Sequence, residues 1–364
     1  MGARATDADR VGPVSAVVCN YNGERYLPAC LDALLALEGG VDEILVVDNA
    51  SEDDSLALLA ERYANVRVIA LSSNDGPARA RNEGMRAARN RFVLAVDNDA
   101  VVRPDLLVKL KAAASSRPDA VIVQPRSVFL HEPTRVHYDG GSFHYVGLIA
   151  LRNFYTPLES AQGSGVLDVD VAVSVCLLVD RDTVLAAGGY DEVYFILFED
   201  LDLSYRLRAA GHAILSVEDA IVLHDAGTDG VSFREGKRYP ASRVFYHSRN
   251  RWVFLLKCLR WRTLSVSLPG LVAYELVGFL FAVVKGGTFA WVRGKWAVLR
   301  HLGRLARDRA AVQRARRVPD RALLIGGPMT VTPALAEGGG ARSVLAVLDA
   351  FLRGWWRIAR RLSG

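Results

Sequence analysis

The chain has 364 residues, 51% hydrophobic, 23% charged and 9% aromatic, a globular composition that excludes disorder and collagen-like repeats. Its four cysteines, Cys19, Cys30, Cys176 and Cys258, form no CxxC pair, so no disulfide framework or zinc knuckle is readable and a reducing compartment fits. The net charge of +5 conceals a split: residues 1–230 hold 20 Lys+Arg against 34 Asp+Glu, whereas residues 231–364 hold 25 against 6, and fields of opposite sign imply different partners.

Met1 to Pro13 is polar and acidic without an apolar core, so it reads as a flexible lead-in and the fold is expected to start in the cytosol. Val14 to Cys19 is a short β-branched run, followed by Asn20-Tyr21-Asn22-Gly23 and a helical pattern through Leu27, Leu31, Leu34 and Leu35. Glu43 to Val47 repeats the scheme, with the loop Asp48-Asn49-Ala50-Ser51 and a helix through Leu56, Leu59 and Tyr63. A third strand, Val66 to Leu71, leads through Asn74-Asp75-Gly76-Pro77 into the helix Ala78 to Arg89, and a fourth, Phe92 to Val96, ends in Asp97-Asn98-Asp99. Strand, loop and helix repeated with short connections predict an α/β fold with a mostly parallel sheet covered on both faces. Ligands of such sheets bind beyond the carboxyl ends of the strands. Asn20, Asp48, Asn74 and Asp97 all fall there.

A dinucleotide-binding dehydrogenase fails on the first loop, where Asn20-Tyr21-Asn22-Gly23-Glu24 carries bulky side chains in place of the GxGxxG glycines. No GxxxxGK[ST] loop is present either. What remains is a nucleotide site built from side chains. Two carboxylates one residue apart at the end of a buried strand can give one oxygen to a divalent ion and another to a ribose hydroxyl, and Mg²⁺ and Mn²⁺ favour carboxylate and phosphate oxygens. Taken alone, Asp97-Asn98-Asp99 also reads as an acidic turn, and Asp48 as a strand-ending Asx turn.

Val14 to Asn22, Val46 to Ser51, Asn74 to Gly84 and the Asp-x-Asp at Asp97–Asp99 resemble, in order and spacing, the successive motifs of family 2 inverting glycosyltransferases. The resemblance covers about residues 14–230. It implies the GT-A fold, a Rossmann-like αβα sandwich that uses nucleotide-sugar donors. By that resemblance Asp48 would accept from the base edge, Tyr21 would pack beside the base, Asp97 would approach the ribose and Asp99 would hold Mg²⁺ or Mn²⁺. Asn20, Asn74, Gly76 and Asn98 would line the nucleotide, and Arg81 would contact the diphosphate; outside the family pattern Arg81 reads as a solvated helix-face arginine.

Asp168 to Leu178 reads as one long strand whose Ala172 and Ser174 would line the sugar pocket. Beyond Gly188-Gly189-Tyr190-Asp191-Glu192 comes Glu199-Asp200-Leu201-Asp202, then a helical face through Leu203, Leu207 and Ala210 that Gly211 ends. Acids in a first helical turn are favoured by the exposed N–H groups and the macrodipole without any catalytic role. The resembling family has a Glu-Asp pair here whose Asp is the catalytic base, which implies Asp200 ahead of Glu199. Downstream, the short runs Ala213–Val217 and Ala220–Leu223 end in His224. A lone His after a strand reads as structural, but by the resemblance His224 would complete the metal shell with Asp99 and the diphosphate oxygens.

In the basic half, Tyr246 to Trp252 resembles a segment that follows the catalytic domain in polymer-building and lipid-acceptor members. Leu264 to Val284 has the length of a membrane span, interrupted by Pro269, Gly270, Glu275 and Gly278; a buried helical pair or dimer contact accounts for it equally. Arg293 to Arg317, and the stretch through Leu345, Leu348, Leu352, Trp355, Trp356, Ala359 and Leu362, alternate basic and apolar residues and suit in-plane attachment to an anionic membrane face. Gly326-Gly327-Pro328 and Gly338-Gly339-Gly340 read as flexible loops.

The expected organisation is a flexible 1–13, a GT-A catalytic domain over 14–230, a membrane-associating helical region over 231–318, and a loop plus amphipathic helix over 319–364. The expected activity is metal-assisted transfer of a sugar, with inversion, from a UDP- or dTDP-linked donor to a lipid-linked or cell-envelope glycan acceptor at the cytoplasmic face of the membrane. Nucleic acid is not an expected partner; a homodimer through the C-terminal helices is. Asn74 to Asn82 departs from the Gly-Phe-Ala and Asn-Asn pattern of rhamnosyl-transferring relatives. Two other classes stay in view: a sugar-phosphate nucleotidyltransferase, which would want a glycine-rich basic loop after the first strand, and a non-catalytic membrane scaffold, which would not need both Asp99 and Asp200.

Overall fold

A computed structural model describes residues 11–163, 165–225, 239–335 and 339–363. Most of the expected flexible N-terminus, the boundary at 230/231 and Gly338 lie outside the described residues. The chain divides into two compact units: Met1–Gly141, Arg152–Leu207 and His212–Ala226 form one, and Ser142–Leu151, Arg208–Gly211 and Gly227–Gly364 the other. Ser142–Leu151, expected within the catalytic domain, therefore belongs to the second unit, which also takes in both expected C-terminal regions.

The first unit opens with β1 (Val14–Asn20), α1 (Leu27–Leu35), β2 (Glu43–Asp48), α2 (Ser55–Arg62), β3 (Arg67–Ala70), α3 (Pro77–Ala87) and β4 (Phe92–Asp97). It continues through β5 (Ala100–Val102), α4 (Leu106–Ser116), β6 (Ala120–Phe129) and β7 (Val136–Tyr138). β8 (Gly141–His144) and β9 (Leu148–Leu151) form a hairpin, followed by β10 (Val166–Val169), β11 (Cys176–Asp180), α5 (Arg181–Ala186), α6 (Glu199–Ala209) and β12 (Ala213–His224). The sheet runs β10-β12-β6-β11-β4-β1-β2-β3, with β5 on β12 and β7 on β6.

β3, β2, β1 and β4 are parallel. The chain winds outward from β1 to β3 and then returns to the other side of β1 for β4, so a topological switch point opens between β1 and β4, where α/β sheets bind ligands. The registers Asn20–Asp48 and Cys19–Asp97 put the polar residues of three strand ends side by side there. All seven residues of β1 are buried, as expected of a central parallel strand covered on both faces. α3 lies close on that strand because Gly84 has no side chain: a Cβ there would sit 2.2 Å from Val17 Cγ1.

Two expected strands come out differently. Asp168–Leu178 is not continuous, since β10 pairs with the edge of the sheet at β12 while β11 lies between β4 and β6. Between them the N–H groups of Ala172 and Val173 donate to the side chains of Ser204 and Gln124 (3.2 and 3.1 Å), so side chains satisfy this backbone in place of a ladder. The two short runs before His224 are one strand, β12, with a bulge: Val217 pairs with Pro125 and Ile221 with Arg126, leaving Glu218, Asp219 and Ala220 as extra residues. Pro125 has no N–H to offer the ladder, and the register shifts at that point.

The second unit contains the β8–β9 hairpin and α7 (Ala241–Cys258), α8 (Trp261–Val284), α9 (Thr288–Arg300), α10 (Leu302–Ala315), α11 (Asp320–Leu323), β13 (Leu324–Ile325) and α12 (Gly339–Leu362). β13 pairs in parallel with β8, and Tyr145 stacks on Trp356 of α12 with ring centroids 4.7 Å apart. Gly326-Gly327-Pro328 is pinned, contrary to the expectation of a free loop. Gly326 lies against Trp356 and the Met329 N–H donates to Asp349 Oδ1 at 2.8 Å. α8 has 24 residues, a mean hydropathy of 1.8 over its most apolar window and only 22% of that window buried, which is long and apolar enough to cross a membrane. Its one acid, Glu275, accepts hydrogen bonds from Arg251 and Trp252 of α7 and from Lys295 of α9 (2.8 Å).

Candidate active site

The floor of the site is a net of amides and hydroxyls. Asn20 Nδ2 donates to Asp48 Oδ1 at 2.8 Å, and Asn98 Nδ2 donates to Asn20 Oδ1 at 2.8 Å. Ser51 closes over Asp48, its N–H donating to Oδ2 at 2.9 Å and its hydroxyl to Oδ1 at 2.6 Å. Asn20 and Asp48 are fully buried, so here they tie the first two loops to the Asp97–Asp99 turn. Tyr21, on the same loop, is 40% exposed and faces solvent.

Asn74 organises the third loop by accepting at Oδ1 from Asn49 Nδ2 (2.7 Å) and from the Gly76 N–H (3.0 Å). Gly76 has φ +90°, and a Cβ on it would meet the Phe195 carbonyl oxygen at 2.2 Å. Only glycine meets both demands.

Asp97, Asp99 and His224 each offer a ligand atom, and these atoms lie within 4.8 Å of one another. The end of β4 and the turn after it deliver the two acids, and the end of β12 delivers the imidazole, whose Nε2 is 3.3 Å from Asp99 Oδ2. Two carboxylates and one imidazole suit a divalent ion that prefers oxygen and tolerates nitrogen, so the residues present fit Mg²⁺ or Mn²⁺. Arg81, buried on α3, turns inward: Nη2 donates to Asp97 Oδ1 at 2.7 Å and to the Ser174 carbonyl at 3.0 Å. It thus braces the acidic turn and is not a solvated helix-face arginine. Burial pushes the Asp97 carboxyl up to about 6, against the pull of Arg81 and with the help of Asp99.

The two acids opening α6 differ. Glu199 is buried, with Oε1 3.6 Å from Arg81 Nη1 and Oε2 without a hydrogen-bond partner. Burial and the adjacent Asp200 charge raise its pKa to about 8, so it holds its proton to higher pH than an ordinary glutamate. Asp200 is half-buried, and both its oxygens are held by Ser174: the N–H donates to Oδ2 at 3.1 Å and the hydroxyl to Oδ1. Ser174 Oγ in turn meets Tyr190 Oη at 2.7 Å. Asp202, fully buried, is a structural acid that accepts from Tyr194 Oη (3.0 Å) and Arg206 Nε (2.7 Å). The approach to α6 is strained, with Phe195, Leu197 and Phe198 at φ +61°, +65° and +77°, conformations that cost about 1–3 kcal/mol each and concentrate at functional sites.

The metal-compatible group and Asp200 are linked through two residues, since Arg81 donates both to Asp97 and to the carbonyl of Ser174, the residue that holds Asp200. The buried phenol of Tyr138 is pushed up by burial and then by the charges of Asp97, Asp200 and Asp99 together. Tyr138 and its neighbour His137, which meets His224 with the two Nδ1 atoms 3.1 Å apart, escaped the sequence reading. β7 has only three residues and carries no motif, so nothing local marks them.

Residues 15–172 match the model of the family described as "Glycosyl transferase family 2". Over those residues the chain is similar to glycosyl transferase family 2. This glycosyltransferase is 42% identical over 103 residues to the succinoglycan biosynthesis protein ExoO of Rhizobium meliloti, an alignment covering 28% of this chain and 30% of that protein. It is 29% identical over 268 residues to an N-acetylglucosaminyl-diphospho-decaprenol L-rhamnosyltransferase of Mycobacterium tuberculosis, covering 67% of this chain and 83% of that one. Among solved structures, GalNAc-T7 with UDP, GalNAc and Mn²⁺ superimposes with a TM-score of 0.52 at 16% identity, covering 67% of this chain and 50% of that chain. The glycosyltransferase has the GT-A fold, as the resemblance implied.

Proposed function

We propose that this glycosyltransferase transfers a sugar from a UDP- or dTDP-linked donor to a hydroxyl of a lipid-linked or cell-envelope glycan acceptor by direct displacement with inversion. The observation that carries the reading is the pairing of a clamped, half-exposed carboxylate, Asp200, with the Asp97–Asp99–His224 group beside one buried tyrosine. Asp200 accepts the acceptor's hydroxyl proton, and its clamp by Ser174 holds the accepting oxygens in place before the substrate arrives. Glu199, buried and facing Arg81, is left out of that role. Asp97, Asp99 and His224 would hold a divalent cation, which when bound supplies positive charge to the departing nucleoside diphosphate. Tyr21 would pack beside the base, with Asn20, Asp48, Asn74, Gly76 and Asn98 shaping the nucleotide pocket. The relatives' names support an envelope or lipid-linked acceptor, and the solved relative that carries UDP and Mn²⁺ supports the donor class and the cation.

The second unit would attach the enzyme to the cytoplasmic face of an anionic membrane. Its net charge and the exposed apolar side chains of α8 support this: Leu268, Val272, Leu276, Leu280 and Val283 lie on one face at helical spacing. A homodimer through these helices is the competing use of that face. The deciding experiment is nucleoside diphosphate release by the purified protein with a donor panel and Mg²⁺ or Mn²⁺. Release that needs donor, acceptor and cation supports the reading; a donor panel with no turnover in the presence of a lipid-linked acceptor extract counts against it.

A further inference from the structure

We infer that His137 is the positioning residue that sets the tautomer of His224, and through it the readiness of the Asp97–Asp99–His224 group to take a divalent cation. The inference rests on the reading of that group as a cation site.

The two rings face each other with centroids 5.1 Å apart and planes 22° from parallel, and their Nδ1 atoms are separated by 3.1 Å. Two bare nitrogens at that distance repel and two N–H groups collide, so the pair holds one proton between them. On the far side of the His224 ring, Nε2 lies 3.3 Å from Asp99 Oδ2. Without a cation, an Nε2–H directed at Asp99 satisfies that contact, and the shared proton then belongs to His137.

A cation needs a bare Nε2. Neutral His224 must then carry its proton on Nδ1, and that N–H needs an acceptor; among the described residues a bare His137 Nδ1 lies within reach, at 3.1 Å. Cation uptake therefore moves the shared proton from His137 Nδ1 to His224 Nδ1. The His224 Nε2 proton leaves to solvent, and His137 Nε2 takes one up, so both rings stay neutral and the proton count is unchanged. The His137 ring is held for this task by Phe129, stacked at 4.4 Å, and by Tyr138, tilted at 4.4 Å.

The test uses the full-length protein and Mn²⁺ alone, with free Mn²⁺ followed by electron paramagnetic resonance and no donor present. His137→Phe keeps the stacking and removes Nδ1, and it should weaken Mn²⁺ binding about 10- to 100-fold, the usual cost of losing the partner of a metal-bound imidazole. His137→Gln, whose amide oxygen can accept from His224 Nδ1–H, should recover most of that loss, and His224→Ala should lose at least as much as His137→Phe. Nitrogen-15 spectra of the wild-type imidazoles saturated with Mg²⁺ should show His224 protonated at Nδ1 only. Wild-type affinity in His137→Phe with weak binding in His224→Ala overturns the role of His137 and leaves the cation site standing. Wild-type affinity in both overturns the cation site and this inference with it. If His137→Phe does not fold, the wild-type spectra decide, and a His224 Nε2 proton that survives Mg²⁺ saturation overturns the inference.

Discussion

Ser174 holds Asp200 from two directions, with its N–H on Oδ2 at 3.1 Å and its hydroxyl on Oδ1. The serine sits in the turn between β10 and β11, outside any ladder, and is therefore free to give both groups to one carboxylate. Asp200→Asn preserves the shape and one acceptor but removes the basicity. kcat should fall by about 10²- to 10⁴-fold, the usual contribution of a general base, with little change in the KM for the donor, measured as nucleoside diphosphate release.

Glu199 gives a prediction about pH. Its folded pKa, about 8, lies above the 4.5 of an ordinary glutamate, so between those values the folded state holds a proton that the unfolded chain has lost. Stability should therefore fall as pH rises from 4.5 to 8, by at most about 1.4 kcal/mol per pH unit from this group. Glu199→Gln should flatten that part of the profile in urea titrations and should leave turnover near wild type. A large loss of turnover would move the base from Asp200 to Glu199.

Gly76→Ala places a methyl group against the Phe195 carbonyl at a backbone angle that L-residues avoid. The expected cost is about 1–3 kcal/mol, as for other overpacked sites. Because Phe195 leads into α6, activity should fall further than the stability loss alone accounts for; thermal melting and kcat measured on the same preparation separate the two.

Leu276→Glu with Leu280→Glu puts two charges on the exposed face of α8. Co-sedimentation with anionic vesicles should drop at least tenfold while donor turnover on a soluble acceptor persists, and wild-type binding should weaken with salt. Unchanged vesicle binding together with a shift from dimer to monomer in light scattering would assign that face to self-association.

Much of the catalytic unit was legible because its signals are local. β-branched runs gave the parallel strands, and Asn20, Asp48 and Asp97 stood at their ends, where the registers place them together, with Asn74 tied to them through Asn49. What escaped depends on contacts distant in sequence. The resemblance marked Arg81 for the diphosphate, but its hold on the Ser174 carbonyl, 93 residues away, was not readable. His137 sits 87 residues before the ring it meets. Nothing in Asp48-Asn49-Ala50-Ser51 reveals that Ser51 folds back onto the Asp48 carboxylate. The break in Asp168–Leu178 was hidden for a related reason: an apolar, β-branched stretch carries no mark of which neighbour each part will pair with.

The bulge in β12 makes the placement of the His224 imidazole beside Asp99 a matter of counting. Side chains of a strand alternate between its two sides, and the three extra residues 218–220 set which side His224 takes once pairing with β6 resumes. Dropping one of them without a compensating rearrangement would aim His224 away from Asp99, disabling the enzyme with every acid and imidazole of the cleft still in the chain. An inventory of side chains would register no defect in such a variant.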